Sequence, residues 1–558
     1  MPIVLGFHSN NLTGAALIRD GKIISAVNEE RLDRVKNSEV FPEKSIKEVI
    51  KEAGIANQDI DLIALGDFKY KLPYLKEYFK RLFMTSPSYY YYILGRIKHI
   101  WHVQSECSKA NYRYIKKNFP HKNSAYVEHH LSHAATAHYT SGSDKNLIVT
   151  MDGWGDKLSS GAFLGNKEKI ERLYNSYDLD SLGYFYGRIT VALGFIPHRH
   201  EGKITGLAAY GKPTKELMSM MNRMGHFDEK NMRFKFNLGE DYFPTFDVNK
   251  KFMNKISKFK REDVAAAAQK FLEDMARKYV TSLIERHGSN HIVLSGGVFA
   301  NVKLNQAIKE INGVKSIFIH PNMGDGGLCL GNALHIYNNE ISYMNVKLKD
   351  VYFGPGFSDK EIKDGLDKTN LEYKYLEDIE YQVAELLSKE KVVARFNGRM
   401  EYGPRALGNR TILYQTQDKS VNDWLNKNLK RTEFMPFAPV TLAKYAGKCY
   451  KNVKGAEYAA KFMTITFDCT NWMKEASPGV VHLDGTARPQ LIEESDNPSY
   501  YRIVDEYRKI TGIPSLINTS FNMHEEPIVC TPNDAIRAFI ESKLDYLAIG
   551  NYLVKCKA

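Results

Sequence analysis

Residues 3–32, IVLGFHSNNLTGAALIRDGKIISAVNEERL, and residues 147–174, LIVTMDGWGDKLSSGAFLGNKEKIERLY, set out one order of features twice. Each opens with an apolar run of strand length and breaks at a polar loop. Each then resumes on a glycine-led second strand, turns tightly and closes on a third strand. In the first copy the breaks are Asn10-Asn11 and Asp20-Gly21, the latter a pair suited to the positive φ of a two-residue hairpin. Internal similarity on this scale predicts a duplicated architecture. Helical sequence follows each copy, at residues 42–53 and at the alanine-rich residues 263–286. Further on, HIVLSGG (291–297) and IFIHPNMGDGGLCLGNAL (317–334) each run strand, glycine loop, helix. A duplicated α/β unit with glycine loops at its strand ends suggests two lobes closing on a nucleotide.

At 558 residues the chain calls for more than one domain. The glycines and proline of YFGPGFS (352–358) mark a break. The expected division is residues 1–345 and 346–558, with a basic aromatic insert at 68–122. Hydrophobic residues make up 43% and charged residues 25%, which excludes disordered, collagenous and fibrous classes. No apolar run approaches the roughly 18 residues of a membrane span. Residues 1–9 lack the charged start and apolar core of a signal peptide, so a cytoplasmic protein with no membrane partner is expected. The six cysteines contain no C-x-x-C pair and are read as reduced thiols.

The net charge of +12 is unevenly spread. Residues 68–122 carry twelve Lys and Arg against two acids, with fourteen aromatics among them. Cations beside stacking rings suit a nucleic-acid groove, for which Lys80, Arg81, Arg96, Lys98, Arg113, Lys116 and Lys117 are the candidates. The same composition suits amphipathic helices whose rings face a core and whose lysines are solvated.

His129 and His133 stand at i, i+4, which on a helix puts both imidazoles on one face. Asp152 ends an apolar strand and Asp325 lies in the glycine loop MGDGG. Two histidines and two aspartates make a mixed nitrogen and oxygen site for Fe²⁺, Mn²⁺ or Zn²⁺, with Mg²⁺ a further candidate. Such a metal would bind nucleotide phosphates and polarise a carbonyl. His8 ends the first strand at a loop facing the expected cleft, where its imidazole could accept a hydroxyl proton.

The segments GFHSNNLTGAAL, EHHLSHAATA, MDGWGD, EGKITGLAAYG, LSGGVFANVKLN, NGRMEYGPRALGNRTIL, MPFAPV, DGTARPQ and NTSFN together resemble the O-carbamoyltransferases of the nodulation and cephamycin type, over about residues 3–538. The resemblance implies a duplicated N-terminal domain of the actin, sugar-kinase and chaperone superfamily (ASKHA), similar to tRNA threonylcarbamoyl transferases. It also implies a C-terminal YrdC-like α/β domain that makes carbamoyl adenylate. The implied reaction takes carbamoyl phosphate and ATP to carbamoyl adenylate and pyrophosphate, then transfers the carbamoyl group to an alcohol. Two active centres of this kind imply a channel between them. His8 matches the family's histidine for the acceptor proton. Glu201, Lys203 and Gly206 resemble a loop near phosphates or ribose, and Gly296, Gly297 and Asn301 one that approaches adenosine. Arg395, Arg399, Arg405, Arg410 and Arg488 suit the phosphate dianion through guanidinium forks, joined by Lys430, Arg431 and the donors Asn518, Thr519, Ser520 and Asn522. Two positions depart from the family pattern: Met435 stands where arginine is usual and Glu525 where glycine is usual.

Family members carbamoylate antibiotic and nodulation-factor hydroxyls, and some phage-related ones resemble enzymes acting on hydroxymethylcytosine in DNA. The basic aromatic insert favours DNA as the acceptor, with a flipped hydroxymethyl base. The competing readings are a small natural-product alcohol, tRNA threonylcarbamoyl transfer, and a non-catalytic ATP-dependent nucleic-acid scaffold. The last leaves His129, His133, Asp152 and Asp325 without purpose. The expected partners are thus ATP, carbamoyl phosphate and an acceptor alcohol, with room for a homodimer.

Overall fold

Two compact units organise the computed structural model, which describes residues 2–66, 90–429 and 437–556. The first comprises Met1–Ile23, Glu39–Pro42 and Ala53–Lys347, and the second Ile24–Ser38, Glu43–Glu52 and Leu348–Ala558. Lys80, Arg81, Lys430, Arg431 and Met435 lie outside the described residues.

In the first unit the strands are β1 (Ile3–His8), β2 (Gly14–Arg19), β3 (Lys22–Asn28), β4 (Leu62–Gly66) and β5 (Asn123–Val127), in the order β3-β2-β1-β4-β5. Strand β1 is buried at every position, antiparallel to β2 and parallel to β4, and β5 runs parallel to β4. A second sheet starts with β6 (Lys145–Gly155), β7 (Leu158–Asn166) and β8 (Lys169–Tyr177), an antiparallel meander. A separate hairpin, β9 (Gly225–Asp228) and β10 (Arg233–Phe236), intervenes. Strands β11 (His291–Ser295) and β12 (Ser316–Ile319) then join parallel to β6, in the order β12-β11-β6-β7-β8. Counted from its own first strand, each sheet therefore runs 3-2-1-4-5, and the expected duplication is the arrangement found. Both copies turn through left-handed backbone after a first or second strand: Asp20 and Gly21 at φ 51° and 70°, Asp156 and Lys157 at φ 49° and 67°.

Close packing sets the helices that carry the site. The helix Leu328–Glu340 lies so near β1 that a Cβ on Gly6 would stand 2.2 Å from the Cys329 carbonyl oxygen. Its other side meets the helix His129–Tyr139, where a Cβ on Gly331 would stand 2.2 Å from the Ser132 carbonyl oxygen. Only residues without side chains allow this approach.

The basic insert ends in the helix Tyr90–Asn118. Two of its described aromatics differ in setting. Tyr114 packs on Phe41 with ring centroids 4.7 Å apart, and Phe41 on Phe7 at 5.9 Å. Tyr112 is 63% exposed, with the Lys116 ammonium 5.9 Å from its ring. Lys98, Arg113, Lys116 and Lys117 are exposed, and Arg96 lies on the same helix. No helix among the described residues is long and apolar enough to cross a membrane.

The second unit is built on an eight-stranded mixed sheet whose strands, in spatial order, are Tyr373–Tyr375, Tyr552–Lys555, Tyr546–Ile549, Val393–Phe396, Arg410–Tyr414, Ser515–Ser520, Ala438–Leu442 and Gln490–Ile492. The helices Ile379–Ser388 and Pro498–Thr511 supply Val383, Leu387, Tyr500 and Val504 to its core. Residues from the chain's beginning complete this unit. Arg31 donates to the Gly403 carbonyl at 2.9 Å, and Arg34 to those of Ile528 and Pro527 at 2.7 and 2.8 Å. Glu29 accepts from the Ser45 backbone N–H at 2.7 Å, at the start of the helix Glu43–Glu52. Glu525 takes φ 60°, a left-handed backbone that glycine adopts without strain.

Candidate metal centre

The helix His129–Tyr139 is held at its start by its neighbours. Glu128 accepts from the Leu131 N–H at 2.8 Å and pairs with Arg172, and Asp156 accepts from the His129 N–H at 2.7 Å. One helical turn separates His129 from His133, so both rings face the same way. Opposite them Asp152 accepts from the Gly153 N–H at 2.6 Å and the Gly297 N–H at 3.1 Å, while Asn11 donates to Asp325 at 2.9 Å.

These supports bring four ligand atoms within 4.8 Å of one another. His133 Nε2 lies 3.1 Å from Asp152 Oδ2 and 3.5 Å from Asp325 Oδ1. His129 Nε2 lies 3.9 and 3.6 Å from the same two oxygens. His129 Nε2 and Asp325 Oδ1 are buried and have no hydrogen-bond partner among the described residues. Imidazole lone pairs aimed at carboxylate oxygens repel unless a proton or a cation stands between them. Two nitrogens, two oxygens and orphaned polar atoms therefore fit a borderline divalent metal such as Fe²⁺, Mn²⁺ or Zn²⁺.

Without a metal, protons fill that role. Burial opposes a charge on His129, but Asp325, Asp152 and Asp156 outweigh it and push the imidazole up to about 9. Burial works against the Asp152 carboxylate too, yet His129 and His133 hold it well below the usual carboxylate range. Room for the His129 ring depends on Gly155, where a Cβ would lie 2.1 Å from the ring carbons.

His8, His129 and Asp325 border one cavity of about 310 Å³, together with Trp154, Cys107 and the exposed Glu39. Burial and then the charges of His129 and His133 push His8 down to about 3, so it is neutral. Its Nδ1 has no hydrogen-bond partner among the described residues. A Cβ on Gly66 would come within 3.0 Å of that nitrogen. Cys107 brings the basic helix Tyr90–Asn118 to the cavity wall, its thiol 3.7 Å from the Ser9 carbonyl oxygen. His130 points elsewhere, bonding Thr150 Oγ1 at 2.9 Å.

The remaining candidates of the first unit are joined by close packing and a hydrogen-bond network. Gly296, at φ 109°, passes so close to β6 that a Cβ would meet the Met151 carbonyl oxygen at 2.1 Å. Asn301 caps the helix Val302–Lys309 through the Leu304 N–H at 3.0 Å and donates to Gln269 at 2.8 Å. Tyr186 links Gln269, at 2.8 Å, to Thr205 at 3.1 Å. That network ties Asn301 to the helix Glu201–Ala208, which carries Glu201, the buried Lys203 and Gly206.

In the second unit the arginines divide. Arg399 donates to the carbonyls of Gly354, Ile24 and Phe353 at 2.9, 3.1 and 2.6 Å. Arg410 is fully buried over the Phe396 ring at 3.6 Å and donates to the carbonyls of Asn397, Asn409 and Gly398. Burial pushes it down to about 10. These two guanidiniums, which the sequence alone assigns to phosphate, are committed to their own backbone. Arg395 is buried and donates to Ser499 at 2.9 Å. Asn522 donates to the Met523 and Glu526 carbonyls and so holds a loop. Asn518 donates to the Ala406 carbonyl at 3.2 Å and to Gln490 at 2.8 Å. It thereby draws together the segments carrying Arg405 and Arg488, both partly exposed. Thr519 is buried and Ser520 half-buried on the same strand.

Sequence reading passes over Asp156, Asn11, Trp154 and Glu39. The first three lie inside the motifs MDGWGD and GFHSNN, whose unused polar and aromatic positions are the available signal.

The sequence profile of the carbamoyltransferase N-terminus matches residues 5–334, and that of the carbamoyltransferase C-terminus residues 384–556. The chain belongs to the carbamoyltransferase family. An uncharacterized protein of Methanocaldococcus jannaschii is 36% identical to this carbamoyltransferase over 80% of the chain and 76% of its own length. A second from that organism is 33% identical over 99% of each. Nodulation protein NolNO of Sinorhizobium fredii is 31% identical over 97% of the chain and 78% of its own length. Among solved structures, full-length HypF in a phosphate- and nucleotide-bound form aligns with 61% of the chain at 14% identity and TM-score 0.32. The chain spans 47% of that structure.

Because a metal must displace the proton that His129 holds up to about 9, affinity for Zn²⁺ or Mn²⁺ should climb roughly tenfold per pH unit and level off above that value. Titration of the metal-stripped carbamoyltransferase across pH checks this. The stabilising contacts of protonated His129 run the other way: they are complete below about 6.5 and lost as pH rises through about 9, so metal-free stability should fall over that window. Gly155→Ala, which drives a methyl into the His129 ring, should leave the purified protein with far less bound metal by atomic emission. Unchanged stoichiometry would show that the ring can swing aside.

Proposed function

We propose that the protein is an ATP-dependent O-carbamoyltransferase with an ASKHA-type first domain and a YrdC-like second domain. In the second domain carbamoyl phosphate, ATP and water give carbamoyl adenylate, phosphate and pyrophosphate. In the first the carbamoyl group passes to an acceptor hydroxyl and AMP leaves. The observation that carries this reading is the meeting, on one cavity, of neutral His8 with His129 and Asp325, two members of the cluster His129, His133, Asp152 and Asp325.

When bound there, a divalent metal supplies Lewis acidity to the carbamoyl oxygen and the adenylate phosphate. The other parts fall to the chain. His8 Nδ1 takes the proton from the acceptor hydroxyl as the oxygen attacks the carbamoyl carbon. The new C–O bond forms as the bond from that carbon to the phosphate oxygen breaks. Gly296, Gly297 and Asn301 let adenosine approach, with Glu201, Lys203 and Gly206 towards ribose and phosphates. Arg405 and Arg488 clamp the carbamoyl phosphate, since paired guanidinium forks suit a small dianion.

The acceptor we propose is hydroxymethylcytosine in DNA. The helix Tyr90–Asn118 supports this, because it reaches the cavity at Cys107 while exposing Lys98, Arg113, Lys116 and Lys117. Cations on such a surface meet phosphates, and a flipped base fits a cavity at its edge.

The test supplies ATP and carbamoyl phosphate with hydroxymethylated DNA or a free alcohol and looks for an acceptor gain of roughly 43 Da. Pyrophosphate release should disappear in Arg405→Ala and in Arg488→Ala. Joint charge reversal at Arg113, Lys116 and Lys117 should leave that release intact and weaken transfer to DNA. It should also flatten the salt dependence of DNA binding, by about 0.9 log units per log unit of salt for each phosphate the helix no longer neutralises. Turnover of a free alcohol with none on DNA would return the helix to a packing role and make the acceptor a small molecule.

A further inference from the structure

Ser295 ends β11 and is fully buried. Its Oγ lies 3.1 Å from His133 Nδ1 and 3.1 Å from the Met323 carbonyl oxygen. One hydroxyl hydrogen serves two neighbours, so the group has two ways to be satisfied. It can donate to Met323 and accept from an N–H on His133 Nδ1, which leaves His133 Nε2 a bare lone pair. It can instead donate to Nδ1 while Nε2 carries the hydrogen and donates to Asp152 Oδ2, 3.1 Å away. Met323 loses little in the second arrangement, because its carbonyl also accepts from the Gly296 N–H at 2.6 Å.

We infer that Ser295 is a positioning residue for the metal centre: its hydroxyl turns to Met323 so that Nδ1 keeps the ring hydrogen and Nε2 is free to ligate. The inference rests on the cluster being a metal site. A cation on Nε2 admits only the first arrangement. His133 is 0% exposed, so no solvent replaces a lost acceptor at Nδ1, and an orphaned buried N–H opposes metal binding. The neighbouring pair His130 and Thr150 offers an internal comparison. His130 stands on the same helix as His133 and its Nδ1 lies 2.9 Å from Thr150 Oγ1 of β6, yet His130 is outside the cluster. A hydroxyl lost there disturbs similar packing without touching a ligand.

The experiment titrates Zn²⁺ and Mn²⁺ into the full chain after chelator stripping, for wild type and for Ser295→Ala, Ser295→Thr and Thr150→Val. Ser295→Ala should weaken metal binding about 10- to 100-fold, while Ser295→Thr, which keeps the hydroxyl, and Thr150→Val stay within about twofold of wild type. The metal-free melting curve of each variant reports folding separately. Should the alanine variant not fold, Ser295→Cys, with its weak acceptor, should lose affinity where Ser295→Thr retains it. Equal affinity in wild type and Ser295→Ala, or an equal loss in Thr150→Val, would overturn the inference. A wild-type chain that binds neither metal fails at the earlier step, the metal site itself.

Discussion

Two carboxylates, Asp152 and Asp325, face two imidazoles across 3.1 to 3.9 Å and are largely removed from water. Burying carboxylates is costly unless positive charge accompanies them, and much of the first unit's local architecture follows from that need. Main-chain N–H groups of Gly153 and Gly297 stabilise Asp152, and an asparagine side chain stabilises Asp325. The glycines around the cluster leave no methyl where a ring must stand. Even the tight turn at Asp156 contributes, because its carboxylate fixes the backbone from which His129 projects.

Duplication makes this economical. Asp152 comes from the second sheet and His8 from the first, in each case from the first strand of the meander. The histidine pair rides on a helix between them in sequence, and Asp325 on the loop after the last parallel strand. No single copy of the fold holds all the groups, so the cavity exists only because two copies are present.

What can be read from sequence here is what is local. Apolar runs of strand length, Asp20-Gly21 and the i, i+4 histidines depend on neighbours along the chain, and they announce the repeat and half of the cluster. Asp152 and Asp325 are legible as acids at glycine-lined strand ends. What Arg399 and Arg410 bond is not legible, because a guanidinium that meets a phosphate and one that meets main-chain carbonyls look alike in the chain. The same limit hides Ser295, a serine ending an apolar strand, and the membership of residues 24–38 and 43–52 in the second unit. The carbonyls that Arg31 and Arg34 of the first segment bond lie more than three hundred positions away.

That last feature bears on how the protein comes into being during synthesis. The chain passes between the units five times, at residues 23/24, 38/39, 42/43, 52/53 and 347/348. The segment holding Arg31 and Arg34 emerges early from the ribosome, but the carbonyls it bonds, at Gly403, Pro527 and Ile528, are translated hundreds of residues later. At about 5–20 residues per second, those early residues wait tens of seconds for their partners. Contacts of such sequence separation also slow folding itself. The second unit therefore cannot be assembled from its C-terminal sequence alone, and a fragment cut at the apparent boundary would lack the arginines that tie its loops together.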